Sequence, residues 1–319
     1  MTMEVDRETV RKISSLQENV EKAIKGKSHV IRLAIITLLA RGHLLIEDVP
    51  GVGKTTLAHG LARSLNCSFK RIQFTSDMLP SDILGVSVYN PGLQDFEFKP
   101  GPVFSNVILA DEINRTPPKA QSSLLEAMNE FQVSLDKKTY PLPIPFIVMA
   151  TQNPLEYQGT FPLPESQLDR FMMRIRIGYP DMEHEKEILK TQRLNSHIHD
   201  LAPVLSIQEV VSLQEMADAV RIDESLMDYI LRIVRATRKV ERLELGVSPR
   251  GGLFLMKASK AMAITQGRGY CIPDDIKGMA IPVLAHRVVV HGQFVTYGQQ
   301  SDDVERIIQD ILESVAVPL

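Results

Sequence analysis

At 319 residues, with 44% hydrophobic and 24% charged side chains, the chain has the length of about two domains and an ordinary globular composition. Its formal net charge of −3 divides into 20 basic and 19 acidic side chains over residues 1–180 and 16 and 20 over residues 181–319, which excludes a nucleic-acid platform built on net charge. Two cysteines exclude a disulfide framework, no apolar run reaches the ~18 residues of a membrane span, and the N-terminus has no cleavable apolar segment, so a cytoplasmic protein without membrane insertion is expected.

In chain order, a helix is predicted over about Arg7–Ile24 and another from Ser28, followed by the apolar run Leu44-Leu45-Ile46 as a buried strand. The loop Asp48-Val49-Pro50-Gly51-Val52-Gly53-Lys54-Thr55-Thr56 comes next, and Leu57, Ala58, Leu61, Ala62 and Leu65 recur behind it at helical spacing. A glycine-rich turn points successive backbone N–H groups inward, and the following helix adds unpaired N–H groups and its positive dipole end, so Pro50 to Thr56 are expected to cradle a polyphosphate such as that of ATP. Lys54 supplies a point charge for the outer phosphates and the Thr55 hydroxyl is placed to hold Mg²⁺. The alternative is a helix-capping glycine turn. Asp48 stands where the full phosphate-loop pattern has glycine; aspartate tolerates left-handed backbone angles better than most residues, so its main chain is expected to carry the turn.

Val86 to Tyr89 and Phe96 to Phe98 flank Asn90-Pro91-Gly92 and read as a hairpin. Asn106 to Ala110 is a continuous apolar run ending in Asp111-Glu112, the pattern of a buried parallel strand delivering carboxylates at its tip. In this Walker B reading Asp111 acts on Mg²⁺ through its coordination shell and Glu112 orients the attacking water. The two acids could instead begin a helix, since Thr116-Pro117-Pro118 starts one shortly afterwards. A second hairpin is expected within Val133–Pro145. Phe146 to Ala150 then forms a third buried strand, delivering Asn153, whose amide can hydrogen-bond a γ-phosphate and a water; a simple Asn-Pro turn with Pro154 is the alternative.

The segments Asn153-Pro154, Glu156 to Glu165 and Gln167-Leu168-Asp169-Arg170-Phe171 closely resemble the signature of MoxR-type AAA+ ATPases. The similarity extends through Phe96 to Phe104 and Asp111 to Lys119, covering most of the first 180 residues and more weakly the remainder. The resemblance implies an α/β fold, a P-loop NTPase αβα core with a parallel sheet over residues 1–180, followed by an all-helical lid over 181–319. It implies an ATPase using ATP and Mg²⁺, assembled into a homo-oligomeric, hexameric ring, and working beside a von Willebrand factor A (VWA) domain protein on a client complex, including metal-cofactor insertion. It implies that Arg170 reaches into the neighbouring subunit's site, with Arg115 as second candidate, and that the hairpins contact substrate, Tyr89, Phe98 and Lys99 being the residues singled out; hairpins that serve packing alone are the alternative. A structural Asp169–Arg170 pair is the alternative for the first arginine.

Beyond Pro180 the pattern is helical: Glu183–Leu194, Ile207–Ala217, Glu224–Val240, Gly251–Thr265, Pro273–Ala285 and Asp302–Val315. Ser248-Pro249 reads as an N-cap and first helical residue, which puts Arg250 in a first turn whose dipole opposes it. An anionic partner explains that placement, and the resemblance names the γ-phosphate; a solvated surface arginine is the alternative. Arg232, Arg235, Arg238, Lys239 and Arg242 share a helical face, read as solvated or as a subunit contact, with a nucleic-acid motor as the rival function. A third reading is a nucleotide-gated scaffold with slow hydrolysis. His197 and His199 lack a carboxylate or cysteine array and are expected to be loop residues rather than metal ligands.

Overall fold

The structure is a computed structural model describing residues 5–136, 138–154, 159–191, 198, 200–291 and 297–318. Helices α1 (Arg7–Glu21) and α2 (Ser28–Leu39) come first. Asp6 caps α1 by accepting from Thr9 N at 2.7 Å, and Ile13, Leu16 and Val20 bury one face. The helix stops at Glu21, short of the expected Ile24, because the chain turns over residues 22–26 with Gly26 at φ 71°.

The core continues as β1 (Leu44–Glu47), α3 (Lys54–Ser64), β2 (Phe69–Gln73), α4 (Pro80–Leu84), β3 (Gly85–Asn90), β4 (Asp95–Pro100), β5 (Val107–Asp111), α5 (Pro118–Glu130), β6 (Gln132–Leu135), β7 (Lys138–Pro141), β8 (Ile147–Gln152), α6 (Glu165–Leu168) and β9 (Met173–Ile175). Five strands form one parallel sheet in the order β2-β5-β8-β1-β9. Alternation along each strand divides the core in two. Leu44, Ile46, Val107, Leu109, Ile147 and Met149 face the layer built with α1, α2 and α3, whereas Leu45, Ile108, Ala110, Val148 and Ala150 face the layer containing α5. The two expected hairpins are present as β3–β4 and β6–β7, each an isolated antiparallel pair.

The second half holds α7 (Met182–Thr191), α8 (Ile207–Ala219), α9 (Glu224–Thr237), β10 (Leu243–Leu245), α10 (Pro249–Thr265), α11 (Pro273–Leu284), β11 (Val289–Val290) and α12 (Tyr297–Ser314). It differs from the expected all-helical lid by the short antiparallel pair β10–β11, too brief to announce itself by periodicity. Helix α10 packs against α2, α8, α9 and α11, and the buried Gln214 amide donates to Leu38 O at 2.7 Å, so the lid helices and the N-terminal pair share one apolar layer.

Candidate active site

All three strands expected to deliver site residues lie side by side in the middle of the sheet, and their carboxyl ends coincide. Glu47 of β1 is in register with Gln152 of β8, and Ala110 of β5 with Ala150 of β8. Parallel sheets bind ligands at this edge. The loop leaving β1 reaches α3 through Gly51 (φ 87°) and Gly53 (φ 99°), and a Cβ at Gly51 would meet nothing within 4 Å, so its backbone conformation and not crowding calls for glycine. Helix α3 begins at Lys54 with no side-chain cap, and its first turn carries Thr55 and the buried Thr56. Lys54 Nζ donates to the Asp48 carbonyl across the loop. At Gly53 an added Cβ would approach Ile24 Cδ1 to 3.1 Å, so the turn after α1 leans on the loop.

Asp48 does not work as expected. Left-handed backbone falls on the two glycines and not on Asp48, whose buried carboxylate instead accepts three backbone N–H groups. Oδ1 takes Val49 N at 2.8 Å, and Oδ2 takes Ile177 N and Gly178 N, both at 2.7 Å. Aspartate here anchors the phosphate loop to the chain leaving β9, which a glycine could not do.

Asp111 ends β5 and Glu112 follows it with φ 58°, ψ 49°, a left-handed conformation that costs energy for a residue with a Cβ. Asp111 therefore sits at a strand tip and Glu112 between it and a single 3-10 turn over Ile113–Arg115, ahead of the start of α5. Thr151 holds them in place: its hydroxyl donates to Asp111 Oδ1 at 2.6 Å and accepts from Glu112 N at 2.9 Å. Glu112 Oε2 is met by Gln73 Nε2 at 2.8 Å and Arg115 Nε at 3.0 Å, and Asp111 Oδ2 by Arg71 Nη2 at 2.6 Å. Asn153 is buried directly after β8, two residues beyond Thr151. A left-handed glycine turn leading into an uncapped helix start with Lys54 suits a polyphosphate, and a hydroxyl with a carboxylate suits Mg²⁺, so the donor set fits both.

Arg170 and Asp169 do not pair with each other. The Arg170 guanidinium donates to Leu125 O at 2.7 Å and, with the Asn129 amide oriented to accept, to that side chain at 2.7 Å, which rests it on the end of α5. Asp169 turns the other way. It accepts the Ser248 hydroxyl at 3.0 Å and Arg287 Nε at 3.0 Å, and Arg250 Nη1 lies 4.0 Å away. Ser248 simultaneously caps α10 by accepting Gly251 N at 3.2 Å, as its sequence predicts. Arg250 is thus brought to the core boundary from the lid.

Arg71, Gln73, Thr151, Asp169 and Arg287 are the residues that local reading missed. The alternation Arg71, Ile72, Gln73 is a usable signal for a strand with one polar face, but Arg287 has none. Phe98 is stacked on Tyr140 at 4.1 Å and edge-on to Phe104 at 5.5 Å, so it joins the two hairpins, whereas Tyr89 and Lys99 are exposed. Of the basic residues expected on one helical face, Arg232 and Arg235 lie on α9, whereas Arg238, Lys239 and Arg242 follow its end at Thr237; all five are exposed, and Arg238 Nε donates to Val247 O at 2.9 Å. Glu156, His197 and His199 lie outside the described residues. Among the described residues no cluster of His, Cys, Asp or Glu could hold a metal by itself, and no helix is long and apolar enough to cross a membrane.

Comparison with known proteins agrees with this arrangement. Residues 43–173 match the model of the ATPase family associated with various cellular activities (AAA), and residues 235–312 match an AAA lid domain. YeaC of Bacillus subtilis (strain 168) is 48% identical over 95% of this chain and 93% of its own. Chaperone MoxR1 of Mycobacterium tuberculosis is 41% identical, over 94% of this chain and 80% of its own, and Protein MoxR of Methylorubrum extorquens is 30% identical over 95% and 94%. A crystal structure of a candidate ATPase from Cytophaga hutchinsonii superposes with a TM-score of 0.87 at 39% identity, covering 98% of this chain and 96% of that one. An AAA core followed by an AAA lid, with MoxR proteins alike along nearly the whole length, makes this chain a member of the MoxR family of AAA+ ATPases.

Proposed function

We propose that this chain hydrolyses ATP in a ring of identical subunits, a hexamer, and uses the turnover to remodel or mature a partner protein complex. The observation that supports the reading is the convergence, at the carboxyl ends of neighbouring strands, of the Gly51–Gly53 loop, Lys54, and an acid pair in which one threonine hydroxyl holds the Asp111 carboxylate and the Glu112 backbone N–H. Pro50 to Thr56 and Lys54 would hold the phosphates, and Thr55 and Asp111 would hold Mg²⁺, the latter through water. The metal, when bound, supplies charge neutralisation on the phosphate oxygens.

The chain's own groups account for the rest. Glu112 accepts a proton from, and orients, the attacking water, its carboxylate aimed by the left-handed backbone that Thr151 holds. Asn153 positions the same water and the terminal phosphate from the tip of β8. Arg250, delivered from the first turn of α10, responds to that phosphate from the lid. Arg170 acts on a neighbouring subunit's site, with Arg115 as the second candidate; an arginine supplied in trans contributes ~10³ to 10⁵ in rate in related phosphoryl transfers.

The relatives named as chaperone and MoxR proteins favour a protein client over a nucleic acid, and a VWA-domain partner and metal-cofactor insertion belong to the same proposal. Purified protein should release phosphate from ATP in a Mg²⁺-dependent way, and Lys54→Ala should abolish it. Capture with Glu112→Gln in ATP should then bring down a VWA-type protein and its client. Wild-type phosphate release from Lys54→Ala would reject the site, and nucleic acid in the capture would reject the client class.

A further inference from the structure

The two adjacent carboxylates at the tip of β5 each have their own guanidinium: Arg115 lies 3.0 Å from Glu112, and Arg71 lies 2.6 Å from Asp111. At Asp111 both carboxylate oxygens are engaged. Oδ1 accepts the Thr151 hydroxyl at 2.6 Å, while Oδ2 accepts Arg71 Nε at 3.0 Å and Nη2 at 2.6 Å. The Thr151 bond comes from a buried residue, 1% exposed, and is part of what shapes the strand tip. The Arg71 bond is different in kind. Its side chain is 50% exposed on the edge strand β2, so it can leave Asp111 for water without stranding a buried charge.

Arg71 and Gln73 are two apart on β2 and project to the same face, opposite the buried Ile72. Arg71 Nη2 also donates to Gln73 Oε1 at 2.8 Å, and Gln73 Nε2 donates to Glu112 Oε2 at 2.8 Å. One chain of contacts therefore runs Thr151, Asp111, Arg71, Gln73, Glu112, Arg115. Its only bond between a cation and the metal-side carboxylate is at Arg71.

We propose that Arg71 is a built-in placeholder for the divalent cation: it neutralises Asp111 before metal and nucleotide bind, must swing into solvent when they do, and so sets the metal concentration the site requires. The proposal rests on Asp111 as the metal-side carboxylate. Departure of Arg71 also removes the partner that orients Gln73, so loading at Asp111 loosens the hold on Glu112. A divalent cation held by Asp111 through water competes with the Arg71 guanidinium for the same carboxylate charge, and the half-exposed guanidinium is the one that can move.

The test is a Mn²⁺ titration of the full chain followed by electron paramagnetic resonance, in a fixed concentration of a non-hydrolysable ATP analogue, so that no turnover is involved. Arg71→Gln should lower the half-saturating Mn²⁺ concentration about 3- to 10-fold, the scale of losing one half-exposed ion pair as a competitor, with Arg71→Lys in between. Arg115→Gln, which removes an equal charge one carboxylate away, should move it by less than about twofold. Thermal melting in EDTA verifies that each variant is folded. An unchanged or higher midpoint in Arg71→Gln overturns the proposal, as does an equal shift in Arg115→Gln, which would make the effect one of overall charge. If Asp111→Asn keeps the wild-type midpoint, the metal role of Asp111 itself falls and the proposal with it; weakened binding there with no effect of Arg71→Gln defeats the placeholder alone.

Discussion

Arg287 Nε donates to Asp169 Oδ1 at 3.0 Å, joining a guanidinium that is 1% exposed just beyond α11 to the residue that immediately precedes Arg170. The same guanidinium donates to the carbonyls of Asp169, Phe171, Met172 and Val283 and lies over the Phe254 ring, 5.2 Å from its centroid. Burial pulls it down to about 10, against the opposing pull of Asp169. Ser248 binds the same carboxylate, so one aspartate holds the start of α10 and the end of α11 to the segment carrying Arg170.

Removing one member of such a pair leaves the other buried without its counter-charge. Arg287→Met should therefore destabilise the protein by about 3 kcal/mol, measured by urea unfolding, and Arg287→Lys should recover little because an ammonium cannot reach several carbonyls in one plane. Wild-type stability in Arg287→Lys would show that charge alone is needed.

Asp48→Ala deletes the acceptor of Ile177 N and Gly178 N. Leaving these donors without their partner should cost about 1–3 kcal/mol and, because the phosphate loop loses its tie to the chain after β9, should weaken fluorescent-ADP binding as well. A stable Asp48→Ala protein with unaltered nucleotide affinity would mean that the loop holds its shape without this anchor.

Thr151→Val preserves shape but loses a hydroxyl that serves Asp111 and the Glu112 backbone together. Phosphate release should fall about 10²-fold, the lower end of what a displaced general base costs, while nucleotide binding persists. Loss of binding instead would place Thr151 in the phosphate cradle.

If Arg170 acts in trans, two inactive proteins should repair one another. Arg170→Ala keeps its own loop and carboxylates, Glu112→Gln keeps its arginine, and co-assembly creates interfaces with every component. Mixed subunits should regain a measurable part of wild-type phosphate release, whereas each alone should be reduced about 10³-fold or more. Absence of recovery in rings proven to be mixed would count against the trans assignment.

His43 is buried between Phe131 and Phe146, accepts Val148 N at Nδ1 (3.1 Å) and donates from Nε2 to Met128 O (2.9 Å). Burial pushes it down to about 4, so the folded protein keeps it neutral where the unfolded chain would bind a proton. The sign follows: the contribution is intact above the unfolded value of ~6.5 and is lost progressively as pH falls toward 4, amounting to ~3 kcal/mol. Between pH 6.5 and 4.5, His43→Gln should show a shallower dependence of unfolding free energy on pH than wild type, and parallel curves would refute the role.

What the residues declare by themselves is local. Glycines at the loop, a serine before Pro249, apolar runs ending in Asp111-Glu112 and in Asn153, and helical spacing beyond Pro180 each express a preference contained within a few neighbours, and each recurs in the structure at its expected place. Asp48 and Asp169 show where such reading stops, because the meaning of a carboxylate lies in which N–H groups reach it. Asp48 waits on Ile177 and Gly178, and Asp169 on Ser248 and Arg287, partners up to 130 residues away. Backbone propensity and periodicity act along the chain, whereas charge pairing and hydrogen bonding act through space, so only the folded sheet and the docked lid decided which side chains hold the site together.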